Sequence, residues 1–184
     1  MTDLRWPTAQ PTLSADGLTL RPWGPSDADA VDAACQDPEI VRWTSVPFPF
    51  RREHAEGYVG PISAQAWANK TDVNFAAVDD DGTVLGSFGL LRMNSAQRVA
   101  EVGYWVAPGA RRRGVARRAA AAVTRWALHD VGFARVELLA AVQNAGSLRV
   151  AEQIGFTREG ILRSAGVGRG ERLDLVMHSR LPTD

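Results

Sequence analysis

The stretch that most constrains this chain runs from residue 99 to residue 142. VAEVGYWVA (99–107) has the composition of a strand and stops at Pro108-Gly109. An arginine-rich loop follows, and then an alanine-rich segment. There Val115, Ala119, Ala122, Val123 and Trp126 recur at i, i+4, i+7, i+8 and i+11, with Arg117 and Thr124 opposite, as in an amphipathic helix. RVELLAAV (135–142) is a largely apolar run of the kind a strand covered on both faces requires. Strand, helix and strand in this order predict a βαβ unit with a parallel pair and a right-handed crossover.

The rest of the chain attaches to that unit. The first 12 or so residues, with Pro7 and Pro11, read as a loose leader, and MTDLRWPTAQ lacks the basic and apolar regions of a signal peptide. LTLRPW (18–23) alternates as a strand whose Pro22 suits an edge or an end. Ser26 stands where an N-cap would open a first helix, and Pro38 opens a second. The prolines of VPFPF (46–50) impose a loop with exposed aromatics, and a helix over about 51–69 is disturbed at Gly60-Pro61. VNFAAV (73–78) and TVLGSFGLLRM (83–93) flank Asp80-Asp81-Gly82, a hairpin signature. A short helix over 147–154 ends at Gly155, and strands over 156–167 and 171–181 complete a mixed α/β sheet.

Charge narrows the function. The chain carries 21 Lys and Arg against 21 Asp and Glu, which argues against a polyanion binder working through bulk electrostatics. Lys70 is the only lysine, and five arginines lie in the eight residues 111–118. Cys35 alone excludes an internal disulfide framework, and scattered His54, His129 and His178 give no metal-ligand spacing. No apolar run is long enough to span a bilayer, so a cytoplasmic protein with no membrane or nucleic-acid partner is expected.

Backbone N–H groups at a helix start form an anion site, and small residues there let a phosphate approach. Arg111-Arg112-Arg113-Gly114-Val115-Ala116-Arg117 has this character, and guanidinium forks suit phosphate oxygens. The lysine of a P-loop and the GxGxxG of a dinucleotide fold are both missing. What remains, R-x-x-G-x-A at Arg111, Gly114 and Ala116, resembles the Q/R-x-x-G-x-G/A signature of the GCN5-related N-acetyltransferases (GNAT). AEVGYWVAP (100–108), Asn144-Ala145-Gly146-Ser147, EQIGF (152–156) with Glu159-Gly160, LTLRPW and DPEIVRW (37–43) resemble the branch of ribosomal-protein N-terminal acetyltransferases (RimJ/RimL-like). The resemblance covers roughly residues 17–181.

The resemblance implies a single acyl-CoA N-acyltransferase domain over 1–184. Its α/β fold would be a mixed, mostly antiparallel sheet of about seven strands with flanking helices and a splayed central parallel pair. It implies acetyl-CoA as cofactor, the pantetheine arm beside the backbone of Trp105, Val106 and Ala107, and the Val106 amide polarising the thioester carbonyl. Arg111, Arg112, Arg113, Gly114, Val115, Ala116 and Arg117 would hold the pyrophosphate, and Asn144 would contact the cofactor. Many members place a tyrosine on the following helix to protonate the thiolate. Ala151 stands there in this chain, and Ser147 matches the serine of related N-terminal acetyltransferases; capping its own helix is the alternative.

Glu101 is the candidate base, because a carboxylate among apolar neighbours has a raised pKa; pairing with an arginine is the alternative. Trp43, Phe48 and Phe50 lie where the family binds acceptors, with core packing as the alternative. Asp174 could face the same cleft or form a structural ion pair. The acceptor implied is a primary amine, either a protein N-terminus or a small amine such as an amino acid, polyamine or antibiotic. A non-catalytic CoA-binding sensor and an RNA- or ribosome-binding protein are the competing functions. Family members are often dimers, so a homodimer is open.

Overall fold

In the computed structural model, which describes residues 4–184, the βαβ unit forms the middle of an eight-stranded sheet. The strands are β1 (Leu13–Ser14), β2 (Thr19–Pro22), β3 (Val73–Val78), β4 (Val84–Asn94), β5 (Val99–Val106), β6 (Arg135–Ala141), β7 (Thr157–Val167) and β8 (Arg172–Arg180). They lie in the order β1-β2-β3-β4-β5-β6-β8-β7, and only β5 and β6 are parallel. The β3–β4 hairpin turns at the expected Asp-Gly site, where Gly82 has φ +80° and its N–H donates to Asp79 O (3.0 Å).

The helices are α1 (Ala28–Cys35), α2 (Pro38–Trp43), α3 (Arg52–Gly57), α4 (Ser63–Asn69), α5 (Val115–Arg125) and α6 (Ala145–Gln153). The break between α3 and α4 falls at Gly60, whose φ of −110° and ψ of −112° are non-helical, immediately before Pro61. A short Pro25–Asp27 turn precedes α1, so the expected Ser26 start is shifted. Asp27, not Ser26, bonds back, accepting the Gly24 N–H at 2.9 Å. Buried side chains of α1–α3 pack on one sheet face with Trp23, Ala76, Val78 and Trp105. Those of α5 and α6 pack on the other with Leu20, Phe75, Phe88, Leu90 and Val102. No helix among the described residues is long and apolar enough to cross a membrane.

Two expectations change. Thr124, expected on the outer side of α5, is fully buried beside Ala120, because small side chains let the helix sink a wider arc than its apolar stripe. The leader, apart from residues 1–3, which lie outside the described part, is docked: Leu4 and Trp6 pack on the α5 core, and the Arg5 N–H donates to Val131 O (2.8 Å). The Trp6 ring lies tilted against Trp67 and Trp126, 4.7 and 6.0 Å away between centroids. Large aromatic area, not secondary structure, fixes this segment.

Candidate active site

The parallel pair does not stay paired. Its register covers only Val99↔Arg135, Ala100↔Val136 and Glu101↔Glu137. Beyond Glu101, β5 follows β4 to Val106↔Gly86, while β6 follows β8 to Ala141↔Leu175. The strands therefore splay apart. The Ala107 N–H donates to Leu85 O (2.9 Å), toward β4. Main-chain groups alternate along a strand, so those of Val102, Tyr104 and Val106 are directed into the splay. The Trp105 side chain is turned away, packed in the α1–α3 core 6.4 Å from Trp23, while Val106 and Ala107 are half-buried.

At the mouth of the splay the chain turns through Pro108–Ala110, takes φ +62° at Arg112 and φ +72° at Gly114, and enters α5. Arg118 N–H to Gly114 O (3.1 Å) is the first helical bond, and no side chain caps the helix. The N–H groups of Val115, Ala116 and Arg117 thus lack intrahelical acceptors. The five arginines divide into two sets. Arg111 donates to Asp37 at 2.5 and 3.3 Å, and Arg118 donates to Asp16 O (2.5 Å) and Arg113 O (3.2 Å). Among the described residues Arg112, Arg113 and Arg117 have no ion-pair partner, and all three are exposed. The Arg111 guanidinium, expected on a pyrophosphate, is instead committed to Asp37. That carboxylate also caps α2, accepting Glu39 N–H and Ile40 N–H at 3.0 Å, and the Arg111 hydrogen bond holds it below its ordinary pKa.

Across the splay, Asn144 ends the turn after β6 and caps α6, its Oδ1 accepting the Ser147 N–H (3.1 Å). Ser147 is therefore not the cap, and its hydroxyl takes no part in capping. It lies 2.9 Å from the hydroxyl of Tyr104, a β5 residue that sequence reasoning missed. The Tyr104 ring stacks on Phe88 with centroids 5.4 Å apart, and burial pushes its hydroxyl up to about 12 against the opposing pull of Ser147. The only sequence signal for this contact was the alternation that puts Tyr104 on the face of Val102 and Val106. Ala151, where the family often has tyrosine, is fully buried.

Glu101 sits at the closed end of the splay, 8% exposed. Burial pushes its carboxyl up, and Glu137, its register partner on β6, adds to the rise. Arg92 opposes both, donating to Oε2 through Nε (2.8 Å) and Nη2. Arg92 reaches it from an irregularity in β4 between Leu91 and Asn94, where its own φ is +47°. Both sequence readings of Glu101, a raised carboxyl and an arginine partner, hold together.

A cleft of about 390 Å³ lies between α2, the loop after it and the β7–β8 turn. Trp43, Phe48, Arg42, Gln143, Arg169 and Glu171 are on its walls. Arg42 lies 4.4 Å above the Trp43 ring and Arg169 4.9 Å from the Phe48 ring. Arg169 also donates to Val41 O (3.0 Å) and Val46 O (2.7 Å), tying the two walls together. Two expected members are elsewhere. Phe50 packs in the α1–α3 core against His54, because the loop turns it inward while Phe48 stays 68% exposed. Asp174 is on the exposed β8 surface, where its Oδ1 accepts the Ser164 N–H (2.7 Å) and steadies an irregular stretch of β7. Cys35 is buried, which pushes its thiol up to about 12. Among the described residues no group of three His, Cys, Asp or Glu side chains could hold a metal ion.

Known proteins are similar to this chain in sequence and in fold. Bacillus subtilis YdaF, provisionally named as a ribosomal N-acetyltransferase, is 35% identical over 101 residues, 55% of each chain, so the match spans about half of that relative's length. The Bacillus licheniformis N-acetyltransferase p20, itself uncharacterized, is 24% identical over 173 residues, covering 92% of this chain and 96% of p20. The structure of RimL, a ribosomal L7/L12 alpha-N-protein acetyltransferase in complex with coenzyme A, superposes with a TM-score of 0.83 at 17% identity, covering 93% of this chain and 98% of RimL. The acetyltransferase (GNAT) domain pattern matches residues 17–157, and the chain belongs to that family.

Proposed function

We propose that the chain transfers an acetyl group from acetyl-CoA to a primary amine by direct attack in a ternary complex, with a protein N-terminal amine as acceptor. The observation that carries this reading is the splay. It is a gap between β5 and β6 edged by main-chain groups of Tyr104 and Val106, with a helix start and unpaired arginines at its mouth. The residues fit the donor molecule. Arg112, Arg113 and Arg117, with the N–H groups of Val115, Ala116 and Arg117, would bind its phosphates. The backbone of β5 would pair with its amide-bearing arm, and Asn144 borders the same gap. Bound acetyl-CoA supplies an activated thioester. The Val106 N–H would polarise the thioester carbonyl, Glu101 would take the amine proton directly or through water, and the Ser147 hydroxyl would face the leaving sulfur.

The sheet runs to Arg180, which supports treating the whole chain as one acyltransferase domain, and a cytoplasmic location belongs to the same proposal. The names of YdaF and RimL support a ribosomal N-terminus as acceptor. A small amine is the second reading, favoured by the limited volume of the Trp43–Phe48 cleft. The test follows free thiol from acetyl-CoA with peptides beginning with Ser or Ala and with spermidine. A kcat/KM at least about tenfold higher for a peptide is expected. The reverse order selects the small amine. Coenzyme A binding without turnover of any amine would make the chain a sensor instead.

A further inference from the structure

The hydrogen bond between Tyr104 and Ser147 joins the two sides of the splay. Tyr104 stands on the diverging half of β5, and Ser147 is in the first turn of α6. Each is held independently of the bond. Tyr104 is stacked on fully buried Phe88, and the Ser147 main chain is fixed by the Asn144 cap. Among the described residues neither hydroxyl has another partner. Two hydroxyls sharing one hydrogen bond leave one proton over. Either hydroxyl can donate at this distance; a phenol is the stronger acid, which favours Tyr104 as donor and the serine proton as the one left over.

We propose that Tyr104 is a positioning residue, donating to Ser147 Oγ and so turning the Ser147 proton toward the sulfur of the departing coenzyme A. This rests on the acetyl-transfer reading above. In the transfer a C–N bond forms at the acyl carbon, the C–S bond breaks, and its electron pair goes to sulfur. The amine proton leaves through Glu101 or water to solvent. Ser147 stabilises the thiolate by a hydrogen bond and keeps its own proton, and the bond from Tyr104 strengthens that donation. Tyr104 stays protonated throughout, as its raised ionisation range requires.

Coenzyme A alone tests this without turnover. The ultraviolet absorbance of its thiolate, followed against pH in complexes with wild type, Tyr104→Phe, Ser147→Ala and the double variant, reads the proton aimed at sulfur. Thiol ionisation about tenfold less favourable is expected in Tyr104→Phe, the same in Ser147→Ala, and no further loss in the double variant. With the Ser-initiated peptide, Tyr104→Phe is expected to lower kcat about tenfold and to leave KM for acetyl-CoA unchanged. A Tyr104→Phe complex that titrates like wild type overturns the proposal, as does lost affinity with an unshifted thiol. Failure of the wild type to bind coenzyme A overturns the parent reading and this one together.

Should Tyr104→Phe not fold, 3-fluorotyrosine at Tyr58 and Tyr104, the chain's two tyrosines, makes the phenol a better donor without a cavity. It is expected to favour thiolate, and no shift there also overturns the proposal.

Discussion

Glu101 shows at the level of one residue what the site costs. Its carboxyl is more readily protonated in the folded chain than in the unfolded one, because burial outweighs the Arg92 ion pair. Raising pH through the ordinary carboxylate range therefore charges a group that the fold disfavours charging, and stability falls in that window. Glu101→Gln removes the charge and keeps a group that Arg92 can reach. It is expected to raise Tm at neutral pH while lowering kcat/KM about a hundredfold, a scale set by lost general base catalysis. Unchanged turnover in Glu101→Gln removes the residue from the chemistry. Arg92 acts with the opposite sign. Without it nothing opposes burial, so in Arg92→Met the acidic limb of the pH–rate profile is expected to move to higher pH. A limb that stays in place would mean that another group titrates there.

The loop and helix start between β5 and α5 are the element on which the cofactor reading depends, and its arginines separate by job. The guanidiniums of Arg112, Arg113 and Arg117 have no partner among the described residues, and Arg111 is bound to the α2 cap. Replacing Arg112, Arg113 or Arg117 with Ala is expected to weaken coenzyme A binding about tenfold each, less at high salt, with little change in Tm. Asp37→Ala should do the reverse, costing about 1 kcal/mol or more as α2 loses its cap, with affinity nearly intact. Calorimetry and thermal melts on the same samples check both, and a common response of all four positions would refute the division.

The βαβ unit, the Asp-Gly hairpin and the break at Gly60-Pro61 were legible in the sequence because each is set by residues close along the chain. The Arg111–Asp37 and Tyr104–Ser147 contacts were not, since they join residues 74 and 43 positions apart. Nor was the swing of Arg92 onto Glu101, which depends on an irregularity in β4 that no alternation pattern reveals. Phe48 and Phe50 carry the same local signal, and only tertiary packing sends one outward and the other into the core.

At the scale of the whole molecule, two cores share one sheet, and the groups that resist acid are spread over both sides of it. His178 on β8 is fully buried, with neither ring nitrogen hydrogen-bonded among the described residues, and burial lowers its pKa. Glu159 is held down to about 2 by Arg135, and Ser179 assists. Asp27 is pushed up by burial, yet the Arg21 pair and the Gly24 N–H hold it below its ordinary value, and Arg111 does the same for Asp37. All four bind protons more readily unfolded than folded, so each contributes stability that is lost as pH falls. Their windows differ. The His178 contribution begins to go below its unfolded value near ~6.5, and those of the carboxylates below about 4. Urea midpoints are therefore expected to decline in two stages as pH is lowered. His178→Leu, which cannot take the proton, should flatten the first stage and leave the second. A variant that keeps both stages would assign the first to another group and leave the buried imidazole without a part in acid unfolding.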